Sequence, residues 1–391
     1  MKKRGLSTKI GIGKNTILGG LVMKTISEII GGAQGLLDIG FELQNCFEEK
    51  LNGLQKTFLH MLRCLEENLS FPERQYAGTG RRPYMYLPYL RSQLAKNYFQ
   101  INATSKLIER LKADPNLRLL CGFKTVPSKA SFSRALSYFA SKDIVAEAFE
   151  SVVKKTLKDK VVYHVCRDST AIHAREKAEK KKGKRPQTIH GKLGRPRKNE
   201  ENREKRPKKI PKVKNQIHEN PYDSLEQLNK KCAVSCKLNS HGIISYWKGY
   251  KLHLDVSDWG FPITACVTGA NVQDCLLAIP MEKITEQRVA FCYSLMDKGY
   301  DSNIIRSFIE SRQRVPIIGY KKRNNGNLPL LDEAKKERSK IRSAVERANS
   351  HLKDLLIPKV LYVKGYNKVS FVLLSAVLCL AALKYLQDIC S

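Results

Sequence analysis

The sequence has few acidic residues for its length. It holds 37 Asp and Glu against 70 Lys and Arg in 391 residues, which gives a formal charge of +33. Self-repulsion of that size is tolerated chiefly where a polyanion neutralises it. We therefore expect nucleic acid as the partner, and an acidic membrane surface is the second expectation.

Two features of membrane and secreted proteins are also missing. The longest apolar run, residues 369–383, has 15 residues, and a membrane-spanning helix needs ~20. The apolar stretch 17–23 is broken by Gly19 and Gly20 and lacks the small-residue cleavage site of a secretory signal. We expect a cytoplasmic protein with no membrane contact, in which residues 369–383 form a buried closing helix.

The eleven cysteines are an odd number, and most stand in apolar surroundings. We predict reduced, buried thiols. Cys232 and Cys236, with His241 and His253, allow a zinc site as an alternative, but the cysteine pair has no second pair to match it. Buried thiols are therefore the favoured interpretation of Cys232 and Cys236.

The first 160 residues show apolar residues at helical spacing, and 42% of the whole chain is hydrophobic, enough for folded domains. We predict a helical N-terminal region over 1–75 and a helical DNA-binding domain over 76–160. In the second, Gly122 is placed to end one helix and Ser128 to cap the next, a pattern similar to a helix-turn-helix. Lys129 and Arg134 would then contact DNA. An ordinary helical bundle explains the same residues.

From residue 161 to 390 the pattern predicts a mixed-sheet α/β domain. The strand-like runs are 161–168, 249–256, 261–268, 289–297 and 315–320, and a long helix is expected over 331–356. A turn at Asp258-Trp-Gly260 would join the second and third runs as a hairpin. A disordered basic insert is predicted within 175–230, because residues 175–214 hold 18 Lys and Arg against 5 Glu.

The insert contains Lys192-Leu-Gly-Arg-Pro-Arg-Lys198, which is similar to an AT-hook. Arg195, Arg197 and Lys198 would contact DNA there, in a narrow A·T minor groove. Leu193 stands where the hook usually has Arg. A phosphate clamp indifferent to sequence is therefore the alternative.

Three acidic residues are placed for metal chemistry. Asp168 and Asp297 each follow a predicted central strand, and Glu346 lies on the late helix. Carboxylates converge at strand ends without being buried unpaired. Paired carboxylates hold two divalent cations that activate a water and stabilise the leaving oxygen of a phosphodiester. Oxygen ligands favour Mg²⁺ or Mn²⁺ over zinc.

The helix that carries Glu346 is predicted to place cations beside it. At ~100° per residue, Arg342 and Lys353 fall on the face of Glu346. The apolar residues fall on the opposite face: Ile341, Ala344, Val345, Ala348, Leu352 and Leu355. An acid between two cations suits a site that holds a DNA phosphate beside a metal. The alternative is a surface helix with ion pairs.

Other residues near these motifs keep alternative interpretations. Asp301 is the second choice for the acid at Asp297, although it better suits the cap of the following helix. Asp255 and Asp258 are explained by the turn beside them. Trp247 and Tyr250 either belong to the core or stack on a DNA base near a cleaved end.

Taken together, these motifs resemble the DDE transposases of bacterial insertion sequences. The order is strand and Asp168, hairpin, strand and Asp297, then Arg342-x3-Glu346-x6-Lys353. Supporting segments are Arg167-Asp-Ser-Thr-Ala171, Gly249-Tyr-Lys-Leu-His-Leu, Thr268-Gly-Ala-Asn-Val-Gln-Asp274 and Asp297-Lys-Gly-Tyr-Asp-Ser302. The resemblance covers roughly residues 90–390. Ser339 stands where the family often has Tyr.

The resemblance implies an RNase H-like catalytic domain in which Asp168, Asp297 and Glu346 bind two Mg²⁺ or Mn²⁺ ions. It implies a bacterial, cytoplasmic transposase that cuts double-stranded DNA at the ends of its mobile element and joins the freed 3′-hydroxyl to target DNA. A homodimer in the DNA complex is expected by analogy. The alternatives are a non-catalytic DNA-binding protein derived from a transposase and an RNase H-like nuclease acting on RNA or branched DNA.

Overall fold

The chain forms two compact units. The computed structural model describes residues 16–18, 21–23, 51–66, 85–158, 160–179, 211–238, 241–321 and 329–390. The first unit is drawn from residues 1–156, 352–358 and 374–391, and the second from residues 157–351 and 359–373.

The first unit is mainly helical. Its described helices are α1 (Gly53–Glu66), α2 (Tyr86–Tyr98), α3 (Thr104–Ala113), α4 (Pro115–Leu120), α5 (Lys129–Phe139) and α6 (Ile144–Leu157). Two short strands, β1 (Thr16–Leu18) and β2 (Leu21–Met23), pair antiparallel. The all-helical prediction is therefore wrong for these residues. The Gly19-Gly20 dipeptide between them is typical of a two-residue hairpin.

The predicted helix end at Gly122 and helix cap at Ser128 are both confirmed. Gly122 follows α4 with φ of +84°, which favours glycine. The Ser128 hydroxyl accepts a hydrogen bond from the Ser131 N–H at 3.4 Å at the start of α5. Lys129 and Arg134 are both exposed on α5. The segment therefore presents its two predicted DNA contacts to solvent.

The second unit is built on a mixed sheet of six strands. They are β3 (His164–His173), β4 (Ala233–Leu238), β5 (Ile244–Val256), β6 (Pro262–Gly269), β7 (Tyr293–Met296) and β8 (Val315–Ile318). Along the sheet the order is β4, β5, β3, β7 and β8, and β6 also pairs with β5. β5 is antiparallel to β3, β4 and β6, whereas β7 is parallel to β3 and β8 is parallel to β7.

The predicted turn between β5 and β6 is confirmed. Gly260 has φ of +83°, and the Ser257 N–H donates to the Phe261 carbonyl at 2.9 Å. β4 was not predicted, and β5 begins at Ile244 instead of residue 249. Residues 234–238 alternate apolar and polar side chains, which is a strand pattern that the prediction missed.

Helices cover the second unit and extend from it. They are α7 (Lys212–Asn215), α8 (Pro221–Glu226), α9 (Cys275–Arg288), α10 (Asn303–Ser311), α11 (Glu333–Ser339), α12 (Ser343–His351) and α13 (Tyr366–Cys390). A 3₁₀ turn, Lys340–Arg342, joins α11 to α12, and a π-helical turn, Leu352–Leu356, follows α12. The single helix predicted over 331–356 is therefore divided.

The predicted disorder of the basic insert is wrong for its last part. Residues 211–230 include α7 and α8, and Val213 is buried against Ile279 and Phe308. The Lys283 ammonium donates to the backbone carbonyls of Gln216, Ile217 and Glu219 at 2.7–2.9 Å. The AT-hook-like residues Arg195, Arg197 and Lys198 lie outside the described residues.

The predicted closing helix is present as α13. By length and composition, Tyr366–Asp388 would suffice to cross a membrane, but a buried core helix passes the same test. Its apolar residues are buried within the protein, including Val369, Leu373, Val377, Leu378 and Leu380. Burial in the fold is what the sequence predicted for residues 369–383.

Charged residues lie at the centre of the second unit. The Arg167 guanidinium on β3 donates to both carboxylate oxygens of Asp255 on β5, at 2.6 Å each. It also lies 3.3 Å from Glu282 on α9, and all three side chains are at most 1% exposed. Asp255 is thus a buried ion-pair partner and not the turn residue that was predicted.

We predict that Arg167→Met destabilises the protein severely. The substitution leaves two buried carboxylates without their main cation, a loss of about 3–5 kcal/mol. Urea unfolding followed by circular dichroism measures the change. Arg312→Met is the control, because that side chain is 45% exposed and 3.8 Å from Glu286. A loss of under about 1 kcal/mol for Arg167→Met, the range of exposed pairs, would contradict the assignment.

Candidate active site

Asp168 and Asp297 lie side by side on the sheet. Asp297 follows β7 as predicted, but Asp168 does not end its strand, because β3 continues to His173. In the parallel pairing of β3 with β7, Arg167 is opposite Met296. Asp168 and Asp297 directly follow these two residues in the sequence. The backbone of Asp297 is still extended, with φ of −67° and ψ of 158°. The same register therefore points both carboxyl groups to one face of the sheet.

The electrostatics at Asp168 favour a cation. Burial is the main cause that raises the pKa of Asp168. A backbone hydrogen bond from Ser169 and the charge of Arg342 lower that pKa, and the negative charges of Asp297 and Asp274 raise it further. Because the net shift is upward, the ionised carboxylate is poorly compensated, and a divalent cation would relieve it.

Helix α12 packs against this part of the sheet through one apolar face. Ala344, Val345 and Ala348 are buried, as the sequence predicted. Asn349 is also buried, and its Nδ2 donates to Asp168 Oδ2 at 3.3 Å. Glu346 is one helical turn before Asn349, so it lies next to the contact between α12 and the first acid.

Glu346 pairs with Arg342 at the surface of α12. Its Oε1 accepts a hydrogen bond from Arg342 at 2.6 Å, and its side chain is 54% exposed. Within the described part of the chain, no three His, Cys, Asp or Glu side chains are close enough to hold a metal ion. The three predicted acids nevertheless offer only carboxylate oxygens, and these fit Mg²⁺ or Mn²⁺.

The helix angle of ~100° per residue does not apply along the whole segment. Arg342 lies in a 3₁₀ turn and Lys353 in the π-helical turn Leu352–Leu356. On the predicted apolar face, Leu352 is buried but Leu355 is 48% exposed, so that prediction is wrong for Leu355. A role of Lys353 beside Glu346 stays a prediction.

Two further charged residues belong to the site, and the sequence motifs gave them no role. An added Cβ at Gly299 would lie 3.8 Å from Asp297 Oδ2 and 3.9 Å from Asp274 Oδ2, so both carboxylates border that glycine. The Lys251 ammonium donates to Asp274 Oδ1 at 2.9 Å. Lys251 and Asp274 both lie in segments that support the family resemblance. That position was the signal in the sequence that could have identified them.

His253 lies inside the sheet, next to the ion pair of Lys251 and Asp274. It is fully buried, and its Nδ1 lies 3.9 Å from Asp274 Oδ1. Its Nε2 and the Thr268 hydroxyl share a hydrogen bond of 2.9 Å. Burial lowers the pKa of His253 to about 4, so the ring is neutral at pH 7. It adds no positive charge to the site.

The alternative acids have other partners. Asp301 accepts hydrogen bonds from Arg306 at 3.0 Å and from the Lys321 N–H at 3.0 Å. The N-cap residue of α10 is Ser302, and the capping role of Asp301 stays a prediction. Asp258 accepts from the His164 N–H at 3.1 Å. Asp297 is therefore the acid that faces Asp168.

The predictions for Tyr250 and for the two cysteines have different outcomes. Tyr250 is 1% exposed and its hydroxyl bonds to Glu176, which fits a core residue. Cys232 is buried but Cys236 is exposed, so the prediction of two buried thiols is wrong for Cys236. The nine cysteines that the structure describes are free thiols.

Comparison with known families gives two matches. Residues 233–381 match the family model described as Transposase DDE domain, and residues 49–137 match that described as Transposase domain (DUF772). The first match includes Asp297 and Glu346 and begins after Asp168, which the sheet register ties to Asp297. No curated protein and no solved structure matches the chain.

We predict that Asp168→Asn stabilises the folded protein at neutral pH. An acid whose pKa is raised on folding binds protons more tightly in the folded state, so its ionised form opposes folding above that pKa. The free energy of unfolding should rise at pH 7, and the gain should shrink as pH falls toward the ordinary Asp value of 3.8.

Urea unfolding at a series of pH values, without divalent cations, measures this difference. Asp258→Asn is the control, because Asp258 is similarly exposed but accepts hydrogen bonds from His164. It should give no gain. A loss of stability in Asp168→Asn at pH 7 would show that the carboxylate is well compensated.

Proposed function

Since the chain carries both domains of a DDE-type insertion-sequence transposase, as its motifs indicated, we propose that it cuts and rejoins DNA at the ends of its mobile element. The observation that carries the proposal is the register that sets Asp168 beside Asp297. Glu346 lies on the helix that contacts Asp168 through Asn349.

We also propose that the second unit has the RNase H-like fold. Three antiparallel strands, β3, β5 and β6, are followed in the chain by β7 and β8, which run parallel to β3. The two aspartates lie on β3 and at the end of β7. This arrangement supports the assignment that the resemblance implies.

In the proposed reaction, Asp168, Asp297 and Glu346 would hold two divalent cations. Such cations activate a water and stabilise the leaving oxygen of a phosphodiester. Asn349 donates to Asp168 and orients its carboxylate. Glu346 would leave its ion pair with Arg342 to reach the aspartates, and the Arg342 guanidinium would then be available to a DNA phosphate.

The end-binding role is proposed for the first unit. Lys129 and Arg134 are exposed at the start of α5, within the match to the transposase domain over residues 49–137. A recognition helix contacts DNA through its first residues. A homodimer that holds two ends, and a location in the bacterial cytoplasm, complete the proposal.

A non-catalytic DNA-binding protein is the second candidate. One observation favours it, because the described residues do not gather three metal ligands and Glu346 is bound to Arg342. In that case the acids would be remnants of a transposase. The two candidates differ in whether DNA is cut.

We predict that Glu346→Gln abolishes cleavage and leaves DNA affinity unchanged, because it removes one metal ligand and no DNA contact. Cleavage of a duplex with the element's own flanking ends, with Mg²⁺ or Mn²⁺, is the measurement. Glu337→Gln is the matched control, since Glu337 is exposed and pairs only with Lys340 among the contacts described. Cleavage at the wild-type rate by Glu346→Gln would place the third acid elsewhere.

We predict that the double substitution Lys129→Gln and Arg134→Gln weakens DNA binding and its salt dependence. Two lost phosphate contacts lower the slope of log K against log salt by about 2. Anisotropy titrations of a labelled duplex at several salt concentrations measure both changes. Lys106→Gln with Lys112→Gln, two exposed lysines of α3, is the control. Equal slopes of log K against log salt for the two double variants would show that α5 does not contact DNA.

A further inference from the structure

A hairpin extends from the catalytic sheet. β4 and the first residues of β5 pair with each other from Ala233 with Gly249 to Leu238 with Ile244. β3 joins β5 only from Gly249 onward. The segments 233–238 and 244–248, which we call the arm, are therefore two strands wide, and such a ribbon has little core of its own.

One face of the arm is apolar and open to solvent. The register pairs Val234 with Lys248 and Cys236 with Tyr246, and Ile244 shares their face by alternation. Tyr246 is 74% exposed, Ile244 53% and Val234 52%. Three large apolar side chains on one exposed strand face are unusual on a soluble surface and mark a contact site.

The charge of the arm selects its partner. Residues 227–254 contain no Asp or Glu and five lysines, at 230, 231, 237, 248 and 251. The basic segment 180–210, with 14 Lys and Arg against 3 Glu, follows directly after Glu179. The Glu179 N–H donates to the Cys232 carbonyl at 3.0 Å, and its carboxylate pairs with Lys231 at 2.6 Å. The five lysines, without an acidic residue between 227 and 254, therefore make the arm and its flanks positively charged.

A polyanion fits this surface better than a second copy of the chain. A second copy would bring the same lysines against the arm, and like charges at an interface oppose association. Apolar side chains that enter a groove of DNA are commonly flanked by cations that bind the phosphates. The arm combines both features on adjoining residues.

We propose that the arm is a DNA-contacting element that inserts Tyr246 and Ile244 into a groove of duplex DNA, while the lysines of the arm and its flanks neutralise phosphates. This inference rests on the proposed function and names a contact outside the acidic site and outside α5. A stacked or inserted aromatic ring supplies affinity that depends little on salt.

Anisotropy with a short labelled duplex tests the role of the ring. Tyr246→Ala should weaken binding about 10-fold with an unchanged salt slope, and Tyr246→Phe should bind like wild type. Tyr222→Ala is the matched control, because Tyr222 is 50% exposed on α8. Since Tyr246 is largely exposed, its replacement by Ala leaves folding intact, which circular dichroism checks.

The thiol of Cys236 offers a second test, because it is exposed and paired with Tyr246 on the same face. Its reaction with a maleimide, followed by peptide mass spectrometry, should slow several-fold when the duplex is added. Cys292, also exposed, should react at the same rate in both states.

The outcomes separate this inference from the proposed function. If wild-type protein binds and cuts DNA while Tyr246→Ala matches it and Cys236 stays reactive, the arm is not a DNA contact and only this inference fails. A change of oligomeric state in Tyr246→Ala without loss of affinity would also overturn it in favour of a second copy. If wild-type protein binds no duplex, the proposed function itself fails.

Discussion

The guanidinium of Arg167 is buried between two carboxylates, and the sheet and its covering helix meet at that point. Arg167 lies on β3, Asp255 on β5 and Glu282 on α9, all without solvent contact. A buried charge of this kind is tolerated only when its partners are fixed in geometry. The same strand continues directly to Asp168, so the ion pair that holds the sheet also fixes the backbone of the first acid.

The site beside this network carries an excess of negative charge. Asp168, Asp274 and Asp297 adjoin one another, and only Lys251 and Arg342 oppose them among the cations assigned to the site. Poorly compensated carboxylates cost stability and are common at functional sites. The excess negative charge thus lies directly beside the buried ion pair, as expected of the metal site proposed above.

The strand that ends before Asp297 was predictable because a buried strand followed by Asp is a local pattern. The same pattern was wrong about Asp168, because β3 continues beyond it to His173. The cap at Ser128 and the turn at Gly260 were predictable because they too are local patterns. The π-helical turn after α12 was not, since the apolar spacing predicted one continuous helix over 331–356. The pairing of Lys251 with Asp274 was also missed, because it joins residues distant in the chain. Val213 stands between Lys212 and Lys214, so the composition of the insert did not indicate that its last part is folded.

The chemical nature of the cut tests the central claim most directly. The experiment incubates wild-type protein and Mg²⁺ with a labelled duplex that carries the element's flanking end, and then analyses the ends of the products. We predict strand breaks at the element's end that leave 3′-hydroxyl groups, which a terminal transferase can extend. DNA that is bound but intact, or broken ends that carry a 3′-phosphate, would contradict a metal-dependent transposase.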